Sequence, residues 1–286
     1  MAASADAAVL VGLGADRDLR VVRLAAQEAA AHRRPLHLLH TFDWQAAFAA
    51  DSVAAPRGQA EDLITRAAQL AHQVEVGLTV RSEIVEGAML PTLIRRSEAA
   101  FLLAVGDGGM AGSAECVPSD APAVQLAARA GCPLMVVRGE PPPQGPVLVG
   151  VDGSPSSNLA LEWALECAAL RCTELLALRV VEPDEDTQAV TDAVTEVMDR
   201  YAARRTDVPA ECRVVEGDPG QVLVDTSRSA QVALVAARGD EPGRGMLGAV
   251  AQSLLYHSPA PVIVVRGLAE APLTGSDARP DRDQRP

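Results

Sequence analysis

Short apolar runs alternate with stretches of helical spacing along almost the whole chain, most clearly in its second half. Val147–Val151 is a continuous, valine-rich run, the pattern of a strand buried on both faces. Ser154 or Ser156 can cap the helix that follows, and Leu159, Trp163, Leu165 and Leu170 fall roughly along one face of it. Next come a strand near Leu175–Val181, an acidic-capped helix near Asp186–Arg205 and a strand at Cys212–Val215. A short helix after Pro219, a strand at Val232–Ala236, a glycine-rich loop, a helix at Ala249–Tyr256 and a strand at Val262–Val265 complete the series. The order β-α-β-α-β-α-β-α-β predicts parallel strands with right-handed crossovers, hence an α/β fold with a doubly wound open sheet. The first half follows the same order from Ala8 to Val137.

The halves are copies of one another. Val9-Leu10-Val11-Gly12 returns as Val147-Leu148-Val149-Gly150, and Val85-Glu86-Gly87 returns as Val215-Glu216-Gly217. Pro133-Leu134-Met135-Val136-Val137-Arg138 returns as Pro261-Val262-Ile263-Val264-Val265-Arg266. Order is kept while the offset shrinks from each pair to the next, as duplication followed by small deletions produces. The expected organisation is one domain over residues 1–138, a stiff proline-rich linker over 139–146 and a second domain over 147–267. A disordered tail is expected over 268–286, where Asp, Arg and Pro leave little to bury.

Composition narrows what these two domains can do. Of 286 residues 48% are hydrophobic but only 2% aromatic, so the cores must be built from Ala, Val and Leu. The balance of 38 acidic against 25 basic residues gives a net charge of −13. No basic run interrupts it, so neither nucleic acid nor an anionic membrane is an expected partner. All 25 basic residues are arginines. That excludes a P-loop, a Schiff-base enzyme and a protein kinase, each of which needs its lysine. No basic n-region precedes an apolar segment and no run reaches the ~20 residues of a membrane span, which predicts a cytoplasmic protein. Cys116, Cys132, Cys167, Cys172 and Cys212 include no C-x-x-C pair and read as buried or partly buried thiols. His32, His37, His40, His72 and His257 show no metal-ligand spacing on a helix, so no metal is expected.

On a doubly wound sheet a ligand sits beyond the carboxyl ends of the strands where their order reverses, which singles out the loops after the first and fourth strands of each half. In the second half these read Gly150-Val151-Asp152-Gly153-Ser154-Pro155 and Ala236-Ala237-Arg238-Gly239, running on to Gly248-Ala249. With Val215-Glu216-Gly217-Asp218-Pro219 and Ser258-Pro259-Ala260-Pro261 they resemble the universal stress protein family, whose first strand ends in V-G-x-D-x-S and whose fourth runs into G-x-x-G-x₉-G-[ST]. The resemblance spans about 8–138 and 147–266. It implies two tandem Rossmann-like, adenine nucleotide alpha hydrolase-like domains of five strands each. It further implies ATP as cofactor and pairing of fifth strands, here made within one chain as a pseudo-dimer, with a homodimer of chains left open.

Carried over residue by residue, the resemblance assigns ligand binding to Asp152, Gly153, Ser154, Gly239 and Gly248. Beyond the resemblance, Val180 near the end of the second strand can touch a nucleoside, and Arg238 and Arg244 can supply fork donors to a phosphate in place of the missing groups. Backbone N–H groups and a helix N-terminus, rather than a lysine, would hold the phosphates. Each residue also has a plain structural reading: Asp152 as a turn cap, Val180 as core, Trp163 as helix–sheet packing, the glycines as a surface loop and the arginines as solvated. The pattern is incomplete. The first half has Gly14 in place of the Asp and Asp120-Ala121 in place of Gly-Ser, keeping Gly106 and Gly109. The second has Ala236 for a glycine, which matters if that position needs a positive φ. It also has eight rather than nine residues before Gly248, and Ala249 for the hydroxyl. No catalytic residue is legible. The expectation is a non-enzymatic stress-response or dormancy factor acting through unidentified protein partners, with a degraded nucleotide site. The alternatives are an adenine-nucleotide-binding regulator using the second domain, and a slow nucleotide hydrolase.

Overall fold

A computed structural model describes residues 6–14, 18–42, 54–107, 121–139, 141–142, 144–183, 187–202, 207–238 and 246–266. Within them the chain forms β1 (Val9–Leu13), α1 (Leu19–Ala31), β2 (Leu36–Phe42), α2 (Ala54–Val74), β3 (Val80–Glu86), α3 (Met89–Ser97), β4 (Leu102–Gly106), α4 (Pro122–Arg129) and β5 (Leu134–Val137). The second half gives β6 (Val147–Gly150), α5 (Pro155–Leu170), β7 (Leu175–Val181), α6 (Thr187–Ala202), β8 (Ala210–Glu216), α7 (Pro219–Ser227), β9 (Val232–Ala236), α8 (Ala249–His257) and β10 (Val262–Val265).

All ten strands join one sheet in the order β3-β2-β1-β4-β5-β10-β9-β6-β7-β8. Every neighbour pair is parallel except the central one, where β5 and β10 run antiparallel with Met135 opposite Ile263. The fifth strands therefore meet, as expected. Alone, each would be an apolar edge open to stray pairing; together, all their side chains are buried. Burial of each Val, Leu, Ile or Met here stabilises by roughly 1.5–3 kcal/mol. The two true edges, β3 and β8, carry Arg81, Glu83 and Glu86, and Glu211, Arg213 and Glu216, charges that discourage further strand addition.

Helices cover both faces, as buried parallel strands require. Buried side chains of α1, α2, α5 and α6 pack on one face and those of α3, α4, α7 and α8 on the other. Helix α5 corrects the expected stripe. It buries Ala160, Leu161, Ala164, Leu165, Cys167 and Ala168, while Leu159 is exposed, because small residues let the helix approach the sheet closely. Trp163 is half-buried and lies 5.1 Å from the Phe101 ring of the other half, so it packs at the junction of the halves as well as on the core. Cys132 and Cys167 are buried and Cys212 half-buried, but Cys172 is exposed, contrary to the expectation for all the thiols. On the opposite face Arg138 reaches across from β5 and donates to the Leu255 and Tyr256 carbonyls, satisfying orphan acceptors at the end of α8. The linker's Gly145 accepts from Thr173 and Gln231, while the expected tail, 268–286, and Cys116 lie outside the described residues.

Candidate functional site

Strand order reverses in the second half between β6 and β9, which pair in parallel through Leu148 and Ala233. The loop leaving β6 and the loop leaving β9 therefore flank one crevice. Asp152 sits at its first wall. Its Oδ1 accepts the Ser154 N–H at 2.9 Å, the Ser154 hydroxyl oxygen accepts the Ser157 N–H at 3.1 Å, and the Ser157 hydroxyl stands 3.4 Å from the Asp152 N–H. Ser154 is the N-cap of α5, so the turn and the helix start are one hydrogen-bonded unit. Burial raises the Asp152 pKa, but hydrogen bonds from Ser154 and Ser157 and the charge of Arg179 outweigh it and hold the carboxyl below its usual value. Gly153 has φ +84° and faces open space, a left-handed turn that favours glycine.

The second wall belongs to β9 and α8. Ala236 is the last residue of β9 and pairs with Val265. It lacks a positive φ, so alanine at this position carries no backbone penalty. Gly248 is the N-cap of α8, extended at φ −68° and ψ 153°, and its N–H donates to the Ala237 carbonyl at 2.8 Å. As a glycine, Gly248 offers no side-chain cap bond to this helix, which leaves first-turn N–H groups for solvent or an anion. Arg238 is half-buried, its Nη1 3.3 Å from Met246 Sδ across the base of the loop. Val180, in β7, is buried in the core. Gly239, Gly243, Arg244 and Gly245, expected in this loop, lie outside the described residues, as do Gly109 and Asp120 of the first half.

The equivalent crevice of the first half, between β1 and β4, contains a residue that sequence reasoning missed. The Asp18 carboxylate is turned into it: Oδ2 accepts the Gly14 N–H at 2.6 Å, and Oδ1 lies 2.6 Å from where a Cβ on Gly106 would stand. Asp18 is only 8% exposed. A side chain at Gly14 would stand 3.3 Å from Asp18 Oδ2. An aspartate at that position would set two carboxylates against each other. The signal in the sequence was an aspartate at the N-cap of α1, where α5 of the other copy has Ser154. Nothing in the local pattern says which way such a side chain turns.

A family model described as the universal stress protein family matches residues 7–138 and again 145–266. The chain belongs to the universal stress protein family. Universal stress protein Rv2623 of Mycobacterium tuberculosis is 31% identical over 292 residues, covering 90% of this chain and 96% of its own. Universal stress protein Rv2005c of the same organism is 37% identical over 206 residues, 66% of this chain and 70% of its own. Among solved structures, a universal stress protein from Archaeoglobus fulgidus superposes with a TM-score of 0.70 at 18% identity, covering 90% of this chain and 96% of its own. That likeness speaks for the fold. As a tandem universal stress protein the chain carries two crevices of common descent, one lined by Asp152 and the uncapped α8, the other occupied by Asp18. Among the described residues no helix is long and apolar enough to cross a membrane.

Proposed function

We propose that this universal stress protein is a non-enzymatic stress-response regulator with one working ligand crevice, in its second half, which takes an adenine nucleotide. The observation that carries the reading is the contrast between the crevices. The second offers an ionised Asp152, an open glycine turn and the free N-terminus of α8; the first is filled by the Asp18 carboxylate. In this reading Asp152 accepts hydrogen bonds from the sugar or base. Gly153, Ser154 and Gly248 shape the walls, the first turn of α8 meets the phosphates, and Arg238 donates to them. Val180 supports the floor from the core. Ala249 supplies no hydroxyl, a loss of about 0.5–1.5 kcal/mol, so the affinity is modest.

In this reading the bound nucleotide is a signal rather than a substrate. Output then passes through protein partners in the cytoplasm. Calorimetric titration of the full chain with ATP, ADP and AMP is expected to give one site per chain, lost in Asp152→Ala. Two sites per chain, binding unchanged in that variant, or no heat with any of the three nucleotides would each overturn the reading. Hydrolysis above that of Gly239→Arg would return the protein to the enzymes.

A further inference from the structure

The junction of the two halves holds a cluster that the nucleotide reading does not use. Glu28 and His32 are four residues apart at the end of α1, which places them on one face, and Cys167 projects from α5 of the other half. One ligand atom from each, a carboxylate oxygen, an imidazole nitrogen and the thiol sulfur, lies within 4.8 Å of the others. Cys167 is fully buried and the His32 side chain is 2% exposed. His32 Nε2 is buried without a hydrogen-bond partner, 3.6 Å from Glu28 Oε2. We propose that Glu28, His32 and Cys167 form a divalent-cation site of the zinc type that staples the two halves together.

The donor set is that of zinc, which accepts thiolate, imidazole and carboxylate at about 2.0–2.3 Å and so gathers its ligands to within about 4 Å of one another. The surroundings complete the arrangement. Glu166 Oε1 lies 3.4 Å from His32 Nδ1, the position of a carboxylate that fixes the tautomer of a metal-bound histidine and aims Nε2 at the ion. Arg171 donates to Glu28 Oε1, which leaves Oε2 on the His32 side. A cavity of about 780 Å³ between the halves is lined in part by Glu28 and Arg171, and so reaches the Glu28 edge of the cluster.

Charge balances in both states. Without metal, Glu28 and Glu166 are offset by Arg171 and the His32 imidazolium. The His32 ring stands between the two carboxylates, 3.6 Å from Glu28 and 3.4 Å from Glu166. Binding of M²⁺ displaces the imidazolium proton and the Cys167 thiol proton, so the dication and Arg171 face Glu28, Glu166 and the thiolate. No electron is transferred. The sequence pattern could not show this site, because the third donor lies in the other copy of the repeat and meets His32 only through pairing of the halves.

The test uses the full chain, stripped with chelator and titrated with Co²⁺. One equivalent should produce a thiolate-to-cobalt charge-transfer band, which Zn²⁺ then abolishes, and Zn²⁺ should raise the melting temperature. Cys167→Ser should lose the band, His32→Gln should weaken Zn²⁺ binding by ~100-fold, and Cys172→Ser, exposed one turn away, should keep both properties. Circular dichroism of the metal-free variants checks folding; if Cys167→Ser does not fold, His32→Gln and Glu28→Gln decide. No band at one equivalent or above, a band that survives Cys167→Ser, or one that vanishes in Cys172→Ser would overturn the proposal.

Discussion

The two crevices share a backbone plan and differ in what fills them. In the second, a neutral Ser154–Ser157 network braces an outward-facing Asp152. In the first, the turn has lost its aspartate and a carboxylate four residues further along, Asp18, has folded back into the gap. Two copies of one fold thus carry differently arranged turns on equivalent strands. The strands below each crevice are held by apolar burial, which does not depend on the loops above. Leu93 packs beneath Gly12 and Leu223 beneath Gly150, and both leucines are buried. The described turns, at Gly14 and at Asp152–Ser154, are held by a few local hydrogen bonds.

The largest expected effect tests whether the two foundations are equivalent. Leu93→Ala and Leu223→Ala should each cost about 2–5 kcal/mol in urea unfolding. A near-zero cost for one of them would show that its crevice rests on something other than this packing. A smaller effect tests the contrast directly. Asp18→Ala should let the first crevice take a nucleotide phosphate, with a gain of about tenfold in affinity, or about 1.4 kcal/mol. Asp18→Asn, which removes charge and keeps volume, should gain less, and titration calorimetry would read both as a second site.

Ser154→Ala should lower stability by ~1 kcal/mol through loss of the α5 cap, read as a shift in the urea midpoint. The first half has no counterpart, because α1 has no side-chain cap bond. The smallest effect is that of pH. The Asp152 pKa is lowered in the folded state, so its contribution is fully present above the unfolded carboxylate value and is lost as pH falls through the folded value. The difference in urea midpoint between the wild type and Asp152→Asn should therefore stay constant near neutrality and shrink on acidification. A difference that grows toward low pH would mean that the carboxyl is held in its protonated form.

Much of the architecture was legible because it rests on local repetition. The valine-rich run at Val147–Val151 and the Leu175–Val181 strand are buried on both faces whichever neighbours they find, and the repeated V-L-V-G and P-x-x-V-V-R segments fix two copies of one unit. Helix faces were less legible. The Leu159–Leu170 stripe held only in part: Leu165 is buried and Trp163 packs against the core, but Leu159 is exposed, because α5 packs largely through alanines, whose small side chains weaken the periodic signal. Asp152 and Ser154 could be found from spacing, since their bonds are local in the chain. Asp18 could not, because its direction depends on the turn at Gly14 and the neighbouring end of β4.

The sequence by itself determined the order of elements, the duplication, the parallel sheet in each half and the absence of lysine-dependent chemistry, since each follows from residue type and short-range period. Only the tertiary structure decided that Asp18 fills one crevice, that Trp163 meets Phe101, and that Glu28 and His32 face Cys167. Those contacts join residues distant in the chain, and their geometry is set by how two independently packed halves meet along β5 and β10, which no local pattern encodes.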